Sequence, residues 1–310
     1  MDTHRNQAGD RLTMPRLSVI IASVNGLPSI DDCLSSLEKE AREVDCEVVV
    51  ANRCQDGTAQ HIAQTFPWVK LLTFSRQLSV WELRARALAE ASGDIIVVTE
   101  DHCIVPKGWV SEILKAHQLG YMVVGGAVEN GMTDRIIDWA AFLCEYSSAM
   151  LPIPAGEVDG IPGNNAAYKR EVLKLDDCST DRSFWDWFLH EELKKNGIRF
   201  LSVPSIVVHH TKRFGFLQFL AQRFHYSRSF AGVRRSLISP SRRVGYLLAS
   251  PLLPLVMASR VARNVLIEKR RCYRQFVLAI PSLTAFWVSY AIGEFVGYLL
   301  GPGSSLSRIE

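Results

Sequence analysis

Short apolar runs that stop abruptly at polar clusters constrain this chain more than any other feature. Leu17–Val24 (LSVIIASV) ends at Asn25-Gly26, Glu47–Val50 (EVVV) runs into Ala51–Gly57, Val69–Phe74 follows, and Asp94–Thr99 (DIIVVT) halts at Glu100-Asp101-His102. A short continuous apolar run bounded by turn residues is the pattern of a strand buried on both faces. Helical spacing fills the gaps: Ile30–Val44 with Ser29 and Asp31 as caps, a helix from Thr58 through Gln64, and Glu82–Ala91 ended by Ser92-Gly93. Strands and helices alternating at this spacing predict an α/β fold, a mostly parallel sheet flanked by helices with right-handed crossovers.

Such sheets bind ligands at the carboxyl ends of their strands. Three polar clusters fall there, Ser23–Gly26, Ala51–Gly57 and Glu100–His102. They make Ser23, Asn25, Asn52 and Asp56 candidates for holding a ligand, although ordinary turn chemistry uses the same residue types. Glu100-Asp101-His102 is the sharpest cluster. A carboxylate and an imidazole two residues apart can share one divalent cation, Mn2+ or Mg2+, bridging the oxygens of a diphosphate. A solvated turn of three polar residues is the competing reading.

Beyond residue 120 the pattern loosens. Tyr121–Val128 reads as a strand, Ile136–Met150 as a helix, Asp159–Lys169 as a Gly/Asn-rich loop leading into a strand at Ala166–Tyr168. Phe184–Lys195 is a helix stopped by Asn196-Gly197, and Arg199–Val208 is a strand ending in His209-His210. Gly163-Asn164-Asn165 offers amides without bulk, suited to holding the hydroxyls of an acceptor or to a tight turn.

The net charge of +3 conceals a split: residues 1–193 hold 29 acids against 17 lysines and arginines, residues 194–310 hold 3 against 18. A basic, acid-poor, apolar second part suits an anionic membrane surface, and its long uncharged stretches argue against nucleic acid. Val244–Ser259 has 16 residues without a charge and Gln275–Gly293 has 19, of which only the second meets the length of a spanning helix. The connector Arg260–Arg274 carries six cations and one acid, so placing it across the membrane would violate the positive-inside tendency. The first stretch is therefore expected to be re-entrant or interfacial, and the second to span or to lie in the interface. Buried core helices are the alternative. Seven scattered cysteines without a C-x-x-C pair point to a reducing compartment, and the polar start shows no secretory signal.

LSVIIASVN, EVVVANRCQDGT, ELRARALAEASGDIIVVTEDHCIVPKGW, GNNAAYKREVL and FWDWFLHEELKKNG occur in that order, and the ordered set resembles the inverting family 2 glycosyltransferases of the GT-A fold over about residues 16–215. The resemblance implies a GT-A-like sheet with a Rossmann-like nucleotide-binding half, a nucleotide-sugar donor (usually UDP-linked) and a divalent metal. It implies that Glu100-Asp101-His102 stands at the D-x-D signature, with Glu100 near the ribose or metal, Asp101 in the donor cluster and His102 as ligand. It puts Ala51 where the family usually has a base-contacting Asp, leaving Asn52 as a substitute, and it places Arg84 near the nucleotide. Asp186 aligns with the general base, Trp185 and Trp187 beside it are candidates for stacking on the acceptor, and a histidine after the last core strand reaches the metal. Adjacent strand residues point to opposite faces, so only one of His209 and His210 can do so.

The expected organisation is a leader at 1–15, a catalytic domain at 16–215, a basic interfacial helix region at 216–242, apolar membrane-associated helices at 243–303 and a tail at 304–310. The expected partners are a nucleotide-sugar, a sugar or lipid-linked acceptor, and the cytoplasmic face of a membrane of the bacterial inner-membrane type, with a second copy of the chain possible and no nucleic acid. A catalytically silent nucleotide-sugar-binding protein docked to a membrane is the alternative from another class. A nucleotidyltransferase would need a Gly-rich loop after the first strand, where only Gly26 stands.

Overall fold

In the computed structural model, residues 17–173 and 186–309 are described. The expected leader 1–15 and the side chain of Trp185 lie outside them. The apolar runs form strands β1 (Leu17–Ser23), β2 (Cys46–Asn52), β3 (Lys70–Thr73) and β4 (Ile95–Glu100). Helices α1 (Ser29–Glu43), α2 (Thr58–Thr65) and α3 (Val80–Glu90) cross between them. Every residue of β1 is buried, which is why the run tolerates no charge. A capping box starts α3: Glu82 N donates to Ser79 Oγ at 3.2 Å and Ser79 N donates to Glu82 Oε2 at 2.6 Å.

The order β3-β2-β1-β4 is wholly parallel. The chain continues through β5 (Cys103–Ile104), α4 (Trp109–His117), β6 (Val123–Asn130), α5 (Ile136–Tyr146), β7 (Gly156–Val158), β8 (Ala166–Lys169), α6 (Arg170–Leu173), α7 (Asp186–Lys195) and β9 (Phe200–His210). β8 lies antiparallel between β4 and β6, β9 runs parallel to β6, and β5 and β7 add antiparallel to β9. The sheet is therefore parallel on its β3–β4 side and mixed beyond β4. The cause is local: Ala166, the first residue of β8, pairs with Val98 near the carboxyl end of β4, so the strand must run back down the sheet. The loop before it, Gly163–Asn165, is thereby laid across the strand ends where ligands bind.

Four long helices follow: α8 (Phe216–Arg234), α9 (Pro240–Ala249), α10 (Leu253–Arg263) and α11 (Tyr273–Leu300). Within the region 216–242, expected as an interfacial helix, α8 is a central packing element. Phe219 belongs to the core on one face of the sheet, while Tyr226, Phe230 and Val233 pack against the core on the other. α11 runs alongside α8 in the same direction, and its other contacts include α5. Small residues make this approach possible. A Cβ on Gly293 would sit 2.1 Å from Ser227 Oγ and 2.3 Å from Phe224 O, and one on Gly297 would sit 2.5 Å from Arg228 O. The pair Gly293-x-x-x-Gly297 is a close-packing seam of the kind that brings helix backbones together. After α11 the chain folds back. Ser305 is buried, and Ile309, 5% exposed, joins the core beside Ile20 and Ala22.

Gly293→Val should lower the unfolding free energy by about 1–3 kcal/mol, the usual cost of overpacking. Gly245→Ala, where no atom lies within 4 Å of the new Cβ, is the control. Denaturant unfolding of both variants against the parent checks this, and equal stability of Gly293→Val would show that the α8–α11 seam is loose.

Candidate active site

The connections from β1 and β4 leave in opposite directions across the sheet, so a crevice opens at their carboxyl ends. One buried carboxylate organises it. Asp101, 1% exposed, accepts hydrogen bonds from Val24 N and Asn25 N at 2.8 Å each and from Asn25 Nδ2 at 2.7 Å. Its other close partner is His102 Nδ1 at 2.9 Å. Asp101, expected among the donor-binding residues, therefore spends its acceptor capacity on protein groups. Its work is to pin the β1 loop to the end of β4. Asn25, expected at the donor, is the other half of that knot.

β9 completes the site from a remote part of the sequence. His210 pairs with Cys103 in the ladder, which places it beside His102. His209 turns to the opposite face and is exposed, so the choice the sequence left open falls on His210. His102 Nε2 lies 3.0 Å from His210 Nε2 and 3.2 Å from Glu100 Oε2. The three side chains offer an oxygen and two nitrogens within 4.8 Å of one another, a spacing that can enclose one metal ion. Two imidazoles and one carboxylate suit Mn2+ better than the harder Mg2+. Asn164 Nδ2 donates to Glu100 Oε2 at 3.2 Å, and the buried Asn164 Oδ1 lacks a protein partner beside the same carboxylate.

Charge is distributed unequally over the triad. Burial opposes a charged His102, but its bonds to Asp101 and Glu100 prevail and lift it to about 8. Burial and the neighbouring His102 push His210 down to about 3, leaving it neutral. Burial would raise Glu100, yet His102 and Arg84 hold it well below the usual carboxylate range. A metal must displace the His102 proton to bind. The apparent Mn2+ dissociation constant should therefore fall about five-fold from pH 7 to pH 8 and level off above that. Calorimetric titration at several pH values checks this, and a flat profile would remove His102 from the ligand set.

Arg84, 3% exposed, bridges two carboxylates: it donates to Asp186 Oδ1 at 3.2 Å and to Glu100 Oε1 at 3.4 Å. It was expected beside the nucleotide; it lines the cleft, and its charge is shared between these two acids. Asp186 opens α7 and rests against Gly163, where a Cβ would fall 1.8 Å from the carboxylate carbon. Gly163 thus serves the site by leaving room. Desolvation pushes the Asp186 carboxyl up and Arg84 pulls it down, with a net upward shift. Trp187 is 40% exposed, edge-on to Phe188 and Phe230, with the Arg234 guanidinium 5.1 Å from its ring centre.

Several expected binding residues have local employment. Asn165, expected at the acceptor, is buried. It donates to Ala127 O and Ile206 O at 2.8 and 3.0 Å and accepts from Trp109 Nε1 at 3.1 Å. Asn52 folds onto the backbone of Cys54 at 3.3 Å. Asp56 Oδ1 accepts from Thr58 Oγ1 at 2.5 Å and from Thr58 N at 3.2 Å, fastening the start of α2. Ser23 is fully buried at the end of β1.

Above the triad lies a cleft of about 310 Å3. Arg84, Glu100, His102, Asn164, Asp186 and His210 line one side. Glu145 and Tyr146 of α5, Lys212, Gln222, Arg223 and Tyr226 around α8, Met257 of α10 and Tyr290 of α11 line the other side, of which the sequence marks only the run Arg223–Arg228, as one that could close over a diphosphate or touch lipid headgroups. Arg223 is buried and forms an ion pair with Glu145. The partner of Arg223, Glu145, is remote in sequence, so the pair itself is not legible in that run.

Residues 18–175 match the profile of glycosyl transferase family 2. The chain belongs to this family and is a glycosyltransferase. The match decides for an enzyme over a silent binding protein. No curated protein matches the sequence. Among solved structures, the mannosyltransferase PcManGT of Pyrobaculum calidifontis, in complex with GDP-Man and Mn2+, is similar at 20% identity and a TM-score of 0.56, covering 91% of this chain and 88% of that one. TarS 1-349 of S. aureus is similar at 14% identity and a TM-score of 0.50, covering 90% of each chain. Both likenesses extend past the family match, and they support the GT-A-like fold.

Proposed function

We propose that the protein transfers a sugar from a nucleotide-sugar to an acceptor hydroxyl with inversion, assisted by a divalent metal, at a membrane surface. The observation that carries this reading is the meeting of Glu100, His102 and His210 with Asp186 and Arg84 in one cleft at the carboxyl ends of β1 and β4. The donor is a nucleoside diphosphate sugar, consistent with the GDP-Man held by PcManGT and with the uridine expectation from sequence. Glu100, His102 and His210 would hold the Mn2+, and the chemistry it would supply there is neutralisation of charge on the leaving diphosphate. Lys212 and Arg223 face the same cleft and add fixed positive charge there.

Asp186 takes the proton from the acceptor hydroxyl as its oxygen attacks the anomeric carbon. The bond from that carbon to the diphosphate oxygen breaks on the far side, and the nucleoside diphosphate leaves with the bonding pair. Desolvation makes Asp186 more basic than an exposed carboxylate, while Arg84 pulls in the opposite direction. Trp187, Gly163 and Asn164 frame the acceptor side. The exposed apolar faces of α9–α11 and the cations of the connector support a reading in which the work is done at an anionic lipid surface.

A panel of nucleotide-sugars, scored by Mn2+-dependent release of nucleoside diphosphate, tests the reading; no release from any donor would overturn it. Asp186→Asn should lower transfer by about two to four orders of magnitude with donor affinity little changed. Transfer near the parent rate would leave Asp186 a structural residue. Arg84→Met removes the cation that lowers Asp186, so the acidic limb of the pH–rate profile should move to higher pH. A limb that stays in place, with only a general loss of rate, would assign Arg84 to structure alone.

A further inference from the structure

Two stretches, Pro240–Glu268 and Arg270–Leu300, are long and apolar enough to cross a bilayer by length and composition. The structure ties both ends of the second to the same body. Before α11, Arg271 donates to Glu129 Oε1 at 2.6 Å and Leu151 O at 3.0 Å, and Lys269 donates to Ser148 O at 3.4 Å. After it, Ser305 Oγ lies 3.0 Å from His225 Nδ1, and Arg53 donates to Ile309 O at 3.4 Å. Glu129, Leu151, Ser148 and Arg53 all belong to the sheet domain. Along its length, α11 buries Phe276, Leu283, Phe286, Ala291 and Gly297 on that domain and on α8. A helix anchored to one water-facing domain at both ends cannot carry its far end across a membrane.

The unburied faces are apolar. Leu248, Leu252 and Leu255 are 58–72% exposed on α9, α10 and the turn between them, and Val288, Ile292 and Leu300 are 43–68% exposed on α11. Arg260, Arg263, Arg270 and Arg274 are exposed at the margin, while Lys269 is buried and Arg271 is held by Glu129. An apolar face edged by cations complements an anionic leaflet. Met257 of α10 and Tyr290 of α11 line the active-site cleft, one turn or less from the outward Leu255 and Val288. The helices that would meet lipid are thus the ones that wall the cleft.

We propose that α9–α11 lie in a single leaflet without crossing it, and that the acceptor is a membrane amphiphile whose hydroxyl-bearing headgroup reaches Asp186 through the mouth beside Met257. This rests on the membrane-surface reading above. It accounts for the buried Arg223–Glu145 pair and the tyrosines on the α5–α8 wall: that wall receives a polar headgroup while the tail of the amphiphile stays among the apolar side chains.

The test uses the full chain bound to the outside of sealed phosphatidylglycerol vesicles. A photoreactive benzophenone side chain is placed in turn at Leu255, Met257 and Leu119, the last being 69% exposed on the sheet domain. Lipid adducts are expected at Leu255 and Met257 and not at Leu119. Adducts at Leu255 without adducts at Met257 would overturn the lipid-borne acceptor and leave membrane binding intact. Adducts at neither would overturn the membrane-surface reading itself, while donor hydrolysis would still report on the transferase. Met257→Cys, a smaller change, repeats the measurement with a bilayer-confined maleimide should the bulky side chain disturb folding. In parallel, Arg270→Cys and Ser304→Cys should both react with a membrane-impermeant thiol reagent added outside, above the background of the parent. Protection of Ser304→Cys alone would mean that α11 crosses.

Discussion

The carboxylate of Asp101 is the interaction on which the rest of the site depends. It is buried, it accepts two backbone and one side-chain hydrogen bond from the β1 loop, and it lies against His102 Nδ1. A charge in so dry a place persists only when its lone pairs are filled, and here they are. Two consequences follow from the one group. The β1 loop is held against the end of β4, which fixes the crevice. The His102 ring is oriented through Nδ1, which turns Nε2 toward His210 and Glu100. The cluster of Glu100, His102 and His210 is built by a residue that does not belong to it.

How much of this was legible in the sequence depended on range. The parallel half of the sheet was plain, because continuous burial writes itself as continuous apolarity in Val19–Ala22 and Val48–Val50. That Glu100 and His102 face the cleft together was legible, since a strand end exposes alternate side chains to it. The separate task of Asp101 was not, because only the fold reveals that its side chain meets Val24 and Asn25. The reading passed over α4, although Trp109, Val110, Ile113 and Leu114 have helical spacing, and over β5 and β7, two and three residues long, which carry no periodicity. His210 was separable from His209 only by knowing which face of β9 meets the cleft. The bridge from Arg84 to both Glu100 and Asp186 joins three distant segments, and no local pattern encodes it.

The second half of the chain illustrates a different limit. Composition marked it as apolar and basic, and length alone made α11 a candidate span. What composition does not record is where the small residues go. Gly293 and Gly297 draw α11 onto α8, and that packing makes an apparently membrane-like helix one wall of an enzyme cleft. The same helix therefore has an inward face chosen by packing and an outward face chosen by its surroundings.

The fold also sets an order of assembly. The family match ends at residue 175, yet β9, which supplies His210 and joins β6 to β5, is formed by residues 200–210, and the far wall of the cleft comes from α8, α10 and α11. During synthesis from the amino terminus, the sheet edge at β6 and the apolar face of α5 wait for partners that emerge later. The cleft has no complete wall until α11 has docked, so a nascent chain lacks the whole site until its last long helix has emerged and packed.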